Sequence, residues 1–318
     1  MRVEESVEQA DLFAAALRGR ERGLWSDAFS ILIRNRLALA GLIVLIVVAA
    51  LAFVGGSVHG IERYDPYQDQ DYEHLQEGPS GSHFFGTDNL GRDNWSRVLA
   101  GVRISLQIGI GTQVVVLFIG LVIGAAAALG GKATDNLLMR FTDITYAFPD
   151  LLFIILMRAV LADREWPIVR DVLGDRGQQI LLVIFAISFV NWTTLARLVR
   201  GQMLSLQERD FVLAARLLGA TPRRIVFVYM LPNTLGPVIV AITFGIPIAI
   251  FAEAALGFLG FGLPPPTASL GRLVSDGYTY MQVNYWIAVF PAAAIALLML
   301  CFTFLGDGLR DALDPRAR

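Results

Sequence analysis

Long unbroken apolar runs, rather than short alternating ones, set the pattern of this chain. They lie near 37–57, 104–130, 137–161, 179–199, 226–258 and 286–306. Each is long enough to cross roughly 30 Å of hydrocarbon as a helix of about 20 residues. The third is the most interrupted, by Asp143, Pro149, Asp150 and Arg158. The fifth carries Pro232, Pro237 and Pro247, which predicts a kinked or re-entrant stretch. The pattern predicts an all-α polytopic membrane protein with six transmembrane helices. It divides into a tail (1–36), a first span with its outer connection (37–103), a core (104–307) and a second tail (308–318). The first run begins too far in, and is too long, for a cleaved leader, so it reads as an uncleaved span.

Composition agrees with that pattern. Of 318 residues, 55% are hydrophobic and 17% charged, whereas soluble domains carry about 25% charged residues. Mean hydropathy is +0.57. A single cysteine, Cys301, excludes a disulfide framework or a CxxC redox site within the chain.

Charge placement orients the spans. The first tail is basic, with Arg18, Arg20, Arg22, Arg34 and Arg36. The 58–103 connection is acid-rich, and 200–225 carries Arg200, Arg209, Arg216, Arg223 and Arg224 against Glu208 and Asp210. With six spans, both tails and the 200–225 segment share one side, which the positive-inside rule makes the cytoplasm.

The 200–225 segment is more ordered than a connector requires. Ser205 and Glu208 fit an S-x-x-E capping box, predicting a helix over about 206–219. Phe211, Ala214, Ala215 and Leu218 fall on one apolar stripe, and Arg209 and Arg216 on another face. Gly219 reads as the terminator, with Thr221 and Pro222 as N-cap and first residue of the next helix. Such a helix either lies on lipid headgroups or docks against a partner.

Other constellations are weaker. Residues 124–134, GAAAALGGKAT, have Ala126 and Ala133 where a phosphate-binding loop needs glycine and a hydroxyl, and they end an apolar helix. His59, His74 and His83 are scattered through the outer connection, and read as solvated loop residues before they read as metal ligands. No catalytic constellation is present in the sequence. In the stretch Gly86, Thr87, Asp88, Gly91, Arg92, Asp93, the charges of Asp88, Arg92, Asp93 and Arg97 alternate and can satisfy one another. That stretch either fixes the lead-in to the second span or serves the outer mouth. Asp143, Asp150, Arg158, Asn191 and Glu253 are polar groups within or at the ends of spans, where they pair, as Arg140 and Asp143 could, or line a solute path. Glu253, Asn191 and Asp150 are the candidates for the path. Gly109, Gly111, Gly120 and Gly124 permit close helix packing, within the chain or to a partner.

The stretch AARLLGATPRRIVFVYMLPN resembles the EAA signature of permease subunits of ATP-binding-cassette importers, with Leu213 standing where the motif's name has glutamate. HFFGTDNLGRDNWSRVLAGVRISL (83–106), LLMRFTDITYAFPDLL (137–152), EAALGFLGFGLPPP (253–266) and LGDGLRDALDPR (305–316) are similar to blocks of the dipeptide/oligopeptide/nickel subclass. The long acidic outer connection and the ending resemble the C-type (DppC/OppC-like) subunit. The resemblance covers roughly residues 30–316. It implies a type I importer permease fold in a prokaryotic inner (plasma) membrane. It implies a heterodimer with a homologous B-type permease, two ATPase subunits docked through Asp210, Phe211, Ala214, Ala215, Arg216, Leu218, Gly219 and Pro222, and an extracytoplasmic solute-binding protein. ATP and Mg²⁺ then belong to the partner ATPases and this chain holds no cofactor, no metal and no nucleic acid. Di- or oligopeptides are the implied solutes, with nickel chelates, haem, glutathione or sugars as alternatives within the same machinery. A stand-alone secondary transporter or channel, with an inverted repeat or midplane ion-coupling carboxylates, and an intramembrane enzyme are the competing classes.

Overall fold

The computed structural model describes residues 24–58, 61–161, 164 and 166–313. His59, the arginines of the first tail up to Arg22, and residues 314–318 lie outside them. Among the described residues the only β pairing is an isolated bridge between Thr87 and Asp93, and everything else is helix or turn.

The helices are α1 (Leu24–Arg34), α2 (Arg36–Val54), α3 (Asn94–Leu129), α4 (Gly131–Tyr146), α5 (Asp150–Leu161), α6 (Pro167–Gln207), α7 (Asp210–Leu217), α8 (Pro222–Phe258), α9 (Leu270–Thr279) and α10 (Trp286–Leu313). Five of them, α2, α3, α6, α8 and α10, are long and apolar enough to cross a membrane.

The sixth expected span is instead a broken pair. Pro149 has no N–H to give to a preceding carbonyl, and the 137–161 run breaks there. Its first half closes with the N–H of Ala147 donating to the carbonyl of Asp143, and the second opens with that of Phe153 donating to Pro149. The fifth run is not re-entrant. Its prolines do not break it or turn it back, and α8 is continuous for 37 residues. The missing N–H of Pro232 is absorbed by looser π winding over Ile225–Met230.

Caps explain why helices outrun the apolar runs. The Asn35 side chain accepts from the N–H groups of Leu37 and Ala38 at the start of α2. Asp93 accepts from Ser96 N at 2.8 Å, so α3 starts ten residues before its apolar run does. At the other end of the chain's fourth span, α6 begins at Pro167 and bends at Gly174 (φ 70°).

Helix α3 is the spine. A Cβ on Gly120 or Gly124 would meet Leu195 or Ala196 of α6 at 2.8 or 2.5 Å, and one on Gly109 would meet Ile250 of α8 at 2.9 Å. These glycines therefore serve packing within the chain, where each lets two backbones approach. Three apolar clusters stack along α3. One joins α2, α9 and α10 through Leu45, Leu106, Leu270 and Leu298. A second joins α5, α6 and α8 through Ile108, Ile154, Ile187 and Leu256. The third gathers Val116, Val199, Met203, Val212, Ile225 and Met230 where α6, α7 and α8 meet.

Candidate functional site: the connector helix and the outer knot

The connector helix α7 is short and held at both ends. It does not begin with the expected capping box. Ser205 is still inside α6, the chain turns at Glu208, and Arg209 takes the N-cap position with no side-chain bond. The helix is thus Asp210–Leu217, shorter than the predicted 206–219. The C-terminal half of the expectation holds. Gly219 adopts φ 78°, the N–H of Ala220 reaches the carbonyl of Ala215, and that of Gly219 reaches Arg216, both at 3.0 Å. This is a Schellman closure, which needs a left-handed residue at Gly219. Thr221 then caps α8 through Arg224 N, with Pro222 as its first residue.

The faces of α7 differ from the predicted stripe. Val212 (0% exposed) and Ala215 (6%) are buried, and Val212 belongs to the apolar cluster shared with α3, α6 and α8. Phe211, Leu213 and Ala214 are exposed, and Leu217 and Leu218 stand 90% and 88% exposed. Val212 therefore anchors the helix to its own chain, and Ala215 is buried rather than exposed. Leu217, which the expected stripe left out, shares the outward face with Phe211, Ala214 and Leu218. The helix ends two residues earlier than predicted, at Leu217, and periodicity read from the sequence alone does not say which of its faces turns inward. Asp210, in the first turn, and Arg216, in the last, are exposed and suit the helix dipole.

The base on which α7 stands is braced by polar bonds. Arg200 near the end of α6 grips Asp135 of α4 with two bonds, Nε to Oδ1 at 2.5 Å and Nη2 to Oδ2 at 2.6 Å. Gln207 donates from Nε2 to the carbonyl of Ala128 at 3.0 Å, tying the last residue of α6 to the end of α3. The P-loop-like residues 124–134 are this α3–α4 junction, closed by Gly130 and a left-handed Gly131.

At the far end of α3 the outer segment folds into a knot. Gly86 and Gly91 have φ of 72° and 73°, and a Cβ on either would lie 2.2 or 2.1 Å from a backbone oxygen, of Glu77 and Asp71 respectively. Between them Thr87 donates to the carbonyl of His74 and accepts from Glu77 N. The Oδ1 of Asp88 accepts from the N–H groups of Leu90 and Arg92, and its Oδ2 takes Arg92 Nε at 2.7 Å with Arg97 Nε at 3.6 Å. So both arginines turn to Asp88. Asp93 instead caps α3 and meets His83 Nδ1 at 3.0 Å.

Two of the outer histidines have defined partners. His83 is buried (1% exposed) and stacks on Tyr64 at 4.8 Å. His74 Nδ1 lies 2.8 Å from Asp71 Oδ2; that bond raises the imidazole's pKa and lowers the carboxyl's. Burial pushes the Glu62 carboxyl up, with Arg103 at 3.0 Å pulling the other way. Among the described residues no three His, Cys, Asp or Glu side chains are grouped to hold a metal ion.

The three candidates for a solute path are far apart in character. Glu253 of α8 is 1% exposed and accepts from Ser105 Oγ of α3 at 2.8 Å. Asn191 returns its Nδ2 to the carbonyl of Ile187 one turn back on α6. Asp150 is exposed at the first turn of α5. Asp143 does not turn to Arg140; its closest cation is Arg197, at 4.0 Å, which also lies over the Tyr146 ring.

A bundle of long apolar helices with a self-anchored, apolar-tipped connector helix at one end and a polar knot at the other is the build of a transporter's membrane subunit. Residues 117–318 match the family described as binding-protein-dependent transport system inner membrane component, and 23–79 match the N-terminal TM domain of oligopeptide transport permease C. The chain belongs to this family of permease subunits of ABC importers, multi-pass components of the bacterial inner membrane. It is 38% identical over 305 residues to the oligopeptide transport system permease protein OppC of Bacillus subtilis, covering 96% of this chain and 94% of that one. Against OppC of Haemophilus influenzae it is 40% identical, covering 93% and 90%. Against the dipeptide transport system permease protein DppC of Bacillus subtilis it is 38% identical, covering 92% and 86%. Among solved structures it is similar to an inward-facing MetNI methionine ABC transporter chain, with TM-score 0.54 and 20% identity over 69% of this chain and 96% of that one.

Proposed function

We propose that this chain pairs with a homologous B-type permease to form the pore of an ATP-driven importer of di- or oligopeptides. Two cytoplasmic ATPases dock on the paired connector helices, and an extracytoplasmic solute-binding protein delivers the solute. The names of the relatives support the peptide class. Asp210, Phe211, Ala214, Arg216, Leu217 and Leu218 form the docking face, Val212 and Ala215 hold it to the pore, and Gly219 and Pro222 set the turn into α8.

The observation that carries this reading is the two-faced build of α7. A helix of eight residues that exposes Leu217 and Leu218 almost fully, yet buries Val212 completely, is costly in water and suited to a groove, where each leucine contributes about 1.5–3 kcal/mol if fully buried. Because α7 is seated in the core formed with α3, α6 and α8, a push on its outer face moves those helices rather than a loose loop. Closure of the ATPase pair then biases the pore between outward- and inward-open states to the extent that the ATPase binds them differently.

In this topology the α4–α5 pair, with α2, α3 and α6, makes four crossings, which puts the basic first tail and α7 on one side. The outer knot fixes the lead-in to α3. Glu253 is a clamp between α3 and α8 rather than a pore-lining group.

Gentle purification with the candidate ATPase subunits tests the reading. Stoichiometric ATPase recovery and ATP-dependent uptake in proteoliposomes are expected. A lone chain that moves solute without ATPase overturns it.

A further inference from the structure

On the opposite side of the molecule from α7 lies a cavity of about 350 Å³, between the start of α3, helix α9 and the 265–267 turn. With 36 residues in α3, the two ends are separated by about 54 Å at 1.5 Å per residue. Three guanidinium groups line the cavity, those of Arg92, Arg97 and Arg272. Among the described residues two carboxylates answer them. Asp276 is taken by Arg272 Nε at 2.9 Å, and Asp88 by Arg92 Nε at 2.7 Å.

Arg97 is the remainder. Its side chain is 2% exposed, its Nη1 donates to the carbonyl of Pro66 at 3.2 Å, and its Nε is buried with no hydrogen-bond partner. The nearest carboxylate oxygen to that Nε, Asp88 Oδ2 at 3.6 Å, is the one Arg92 already holds. A buried, incompletely paired cation is among the costlier features a fold can keep, and an anion in the cavity removes the cost. Neutral donors converge on the same space. Asn89 and Tyr280 line it, bonded to each other at 3.1 Å, beside Thr267 and Thr279. Across the 264–266 turn lies a second cleft, about 550 Å³, whose described lining includes Arg164, Arg176 and the Arg170–Asp175 pair.

We infer that the cavity is a carboxylate-binding site at the outer mouth. Planar guanidinium groups match a carboxylate in two-pronged fashion, and Arg97, Arg272 and Tyr280 are its principal donors. A peptide's C-terminal carboxylate and an acidic side chain of the solute-binding protein share this chemistry. The inference rests on the importer reading for which side the cavity faces and for the nature of the solute.

The test uses the complete complex in proteoliposomes, with trialanine and its C-terminal amide as probes. For a solute carboxylate, Arg272→Gln raises KM for trialanine about tenfold or more, leaves kcat and the amide unchanged, and is partly rescued by Arg272→Lys. For a carboxylate of the binding protein, the same variant raises by a similar factor the binding-protein concentration that half-saturates ATPase stimulation, with either probe. Neither shift, in an intact complex, overturns the site. Asp276→Asn separates a binding role from a packing one, because it releases Arg272 toward the cavity. It is expected to keep trialanine affinity or tighten it, and a loss equal to that of Arg272→Gln overturns the site. Should the complex show no ATP-driven uptake, the importer reading fails by itself. The site is then read by thermal shift of the complex, where stabilisation by trialanine over its amide supports it and equal effects overturn it.

Discussion

Arg200 and Asp135 are joined by two parallel bonds, at 2.5 and 2.6 Å, that tie α6 to α4 immediately before the connector helix. Both side chains are partly exposed, 32% and 21%, so the pair stabilises the fold by about 1 kcal/mol or less. On the docking role proposed for α7, the pair also keeps the base of that helix from rocking. Asp135→Asn is expected to lower the melting temperature only slightly while reducing uptake per ATP hydrolysed. The exchange Asp135→Arg with Arg200→Asp is expected to restore that ratio. Coupled uptake and ATPase assays in proteoliposomes read it directly.

The two faces of α7 separate docking from folding. Leu217→Glu lies on the exposed face and is expected to change stability by less than about 0.5 kcal/mol while abolishing ATPase recovery on purification. Val212→Ala lies on the buried face and is expected to cost about 2 kcal/mol while leaving the docking surface itself in place. Melting curves and pull-down yields, taken together, check the contrast. A Leu217→Glu protein that keeps its ATPase contradicts the docking role.

Gly219 makes a sharper backbone prediction. Open space surrounds its Cβ position, so only φ opposes a side chain. Gly219→Ala is expected to cost about 1 kcal/mol and Gly219→Val more, while Gly219→Asn is tolerated best. Denaturation of the three variants gives the order.

The His74–Asp71 pair gives a pH signature. His74 has a raised pKa and Asp71 a lowered one, each because of the bond to the other. The histidine's contribution is complete below about 6.5, the unfolded value, and is lost as pH rises through its higher folded value. The aspartate's contribution is present above its unfolded value and lost as pH falls through the lower folded one. An NMR titration of His74 is expected to show a midpoint above 6.5 that returns toward it in Asp71→Asn.

Glu253 distinguishes clamp from path. Glu253→Gln keeps an acceptor for Ser105 and is expected to leave fold and uptake close to the native protein. Glu253→Leu is expected to lose both together, because it strands Ser105 in the interior. Uptake lost in Glu253→Gln with the melting curve unchanged points to the solute path instead.

Much of this was legible in the chain. The long apolar runs, the closure at Gly219 and the Thr221–Pro222 restart all depend on neighbours a few residues apart, and local physics decides them. The break of the third run was also visible, in Pro149, although its result as two helices was not. Three readings needed the third dimension. Which face of α7 turns inward depends on the core that α3, α6 and α8 offer Val212. Whether Ser205 starts a helix depends on α6 running through it, braced by Gln207 on Ala128. Whether Glu253 meets solute depends on Ser105, 148 positions away in the chain.

By itself, then, the sequence determined that this is a many-span helical protein with a capped connector, because hydrophobic length, proline, glycine and capping chemistry act locally. The tertiary structure alone decided which residues of that connector face outward, which acid takes which arginine, and that Arg92, Arg97 and Arg272 share one cavity. Burial and charge pairing depend on what distant helices bring alongside, and no spacing along the chain encodes that.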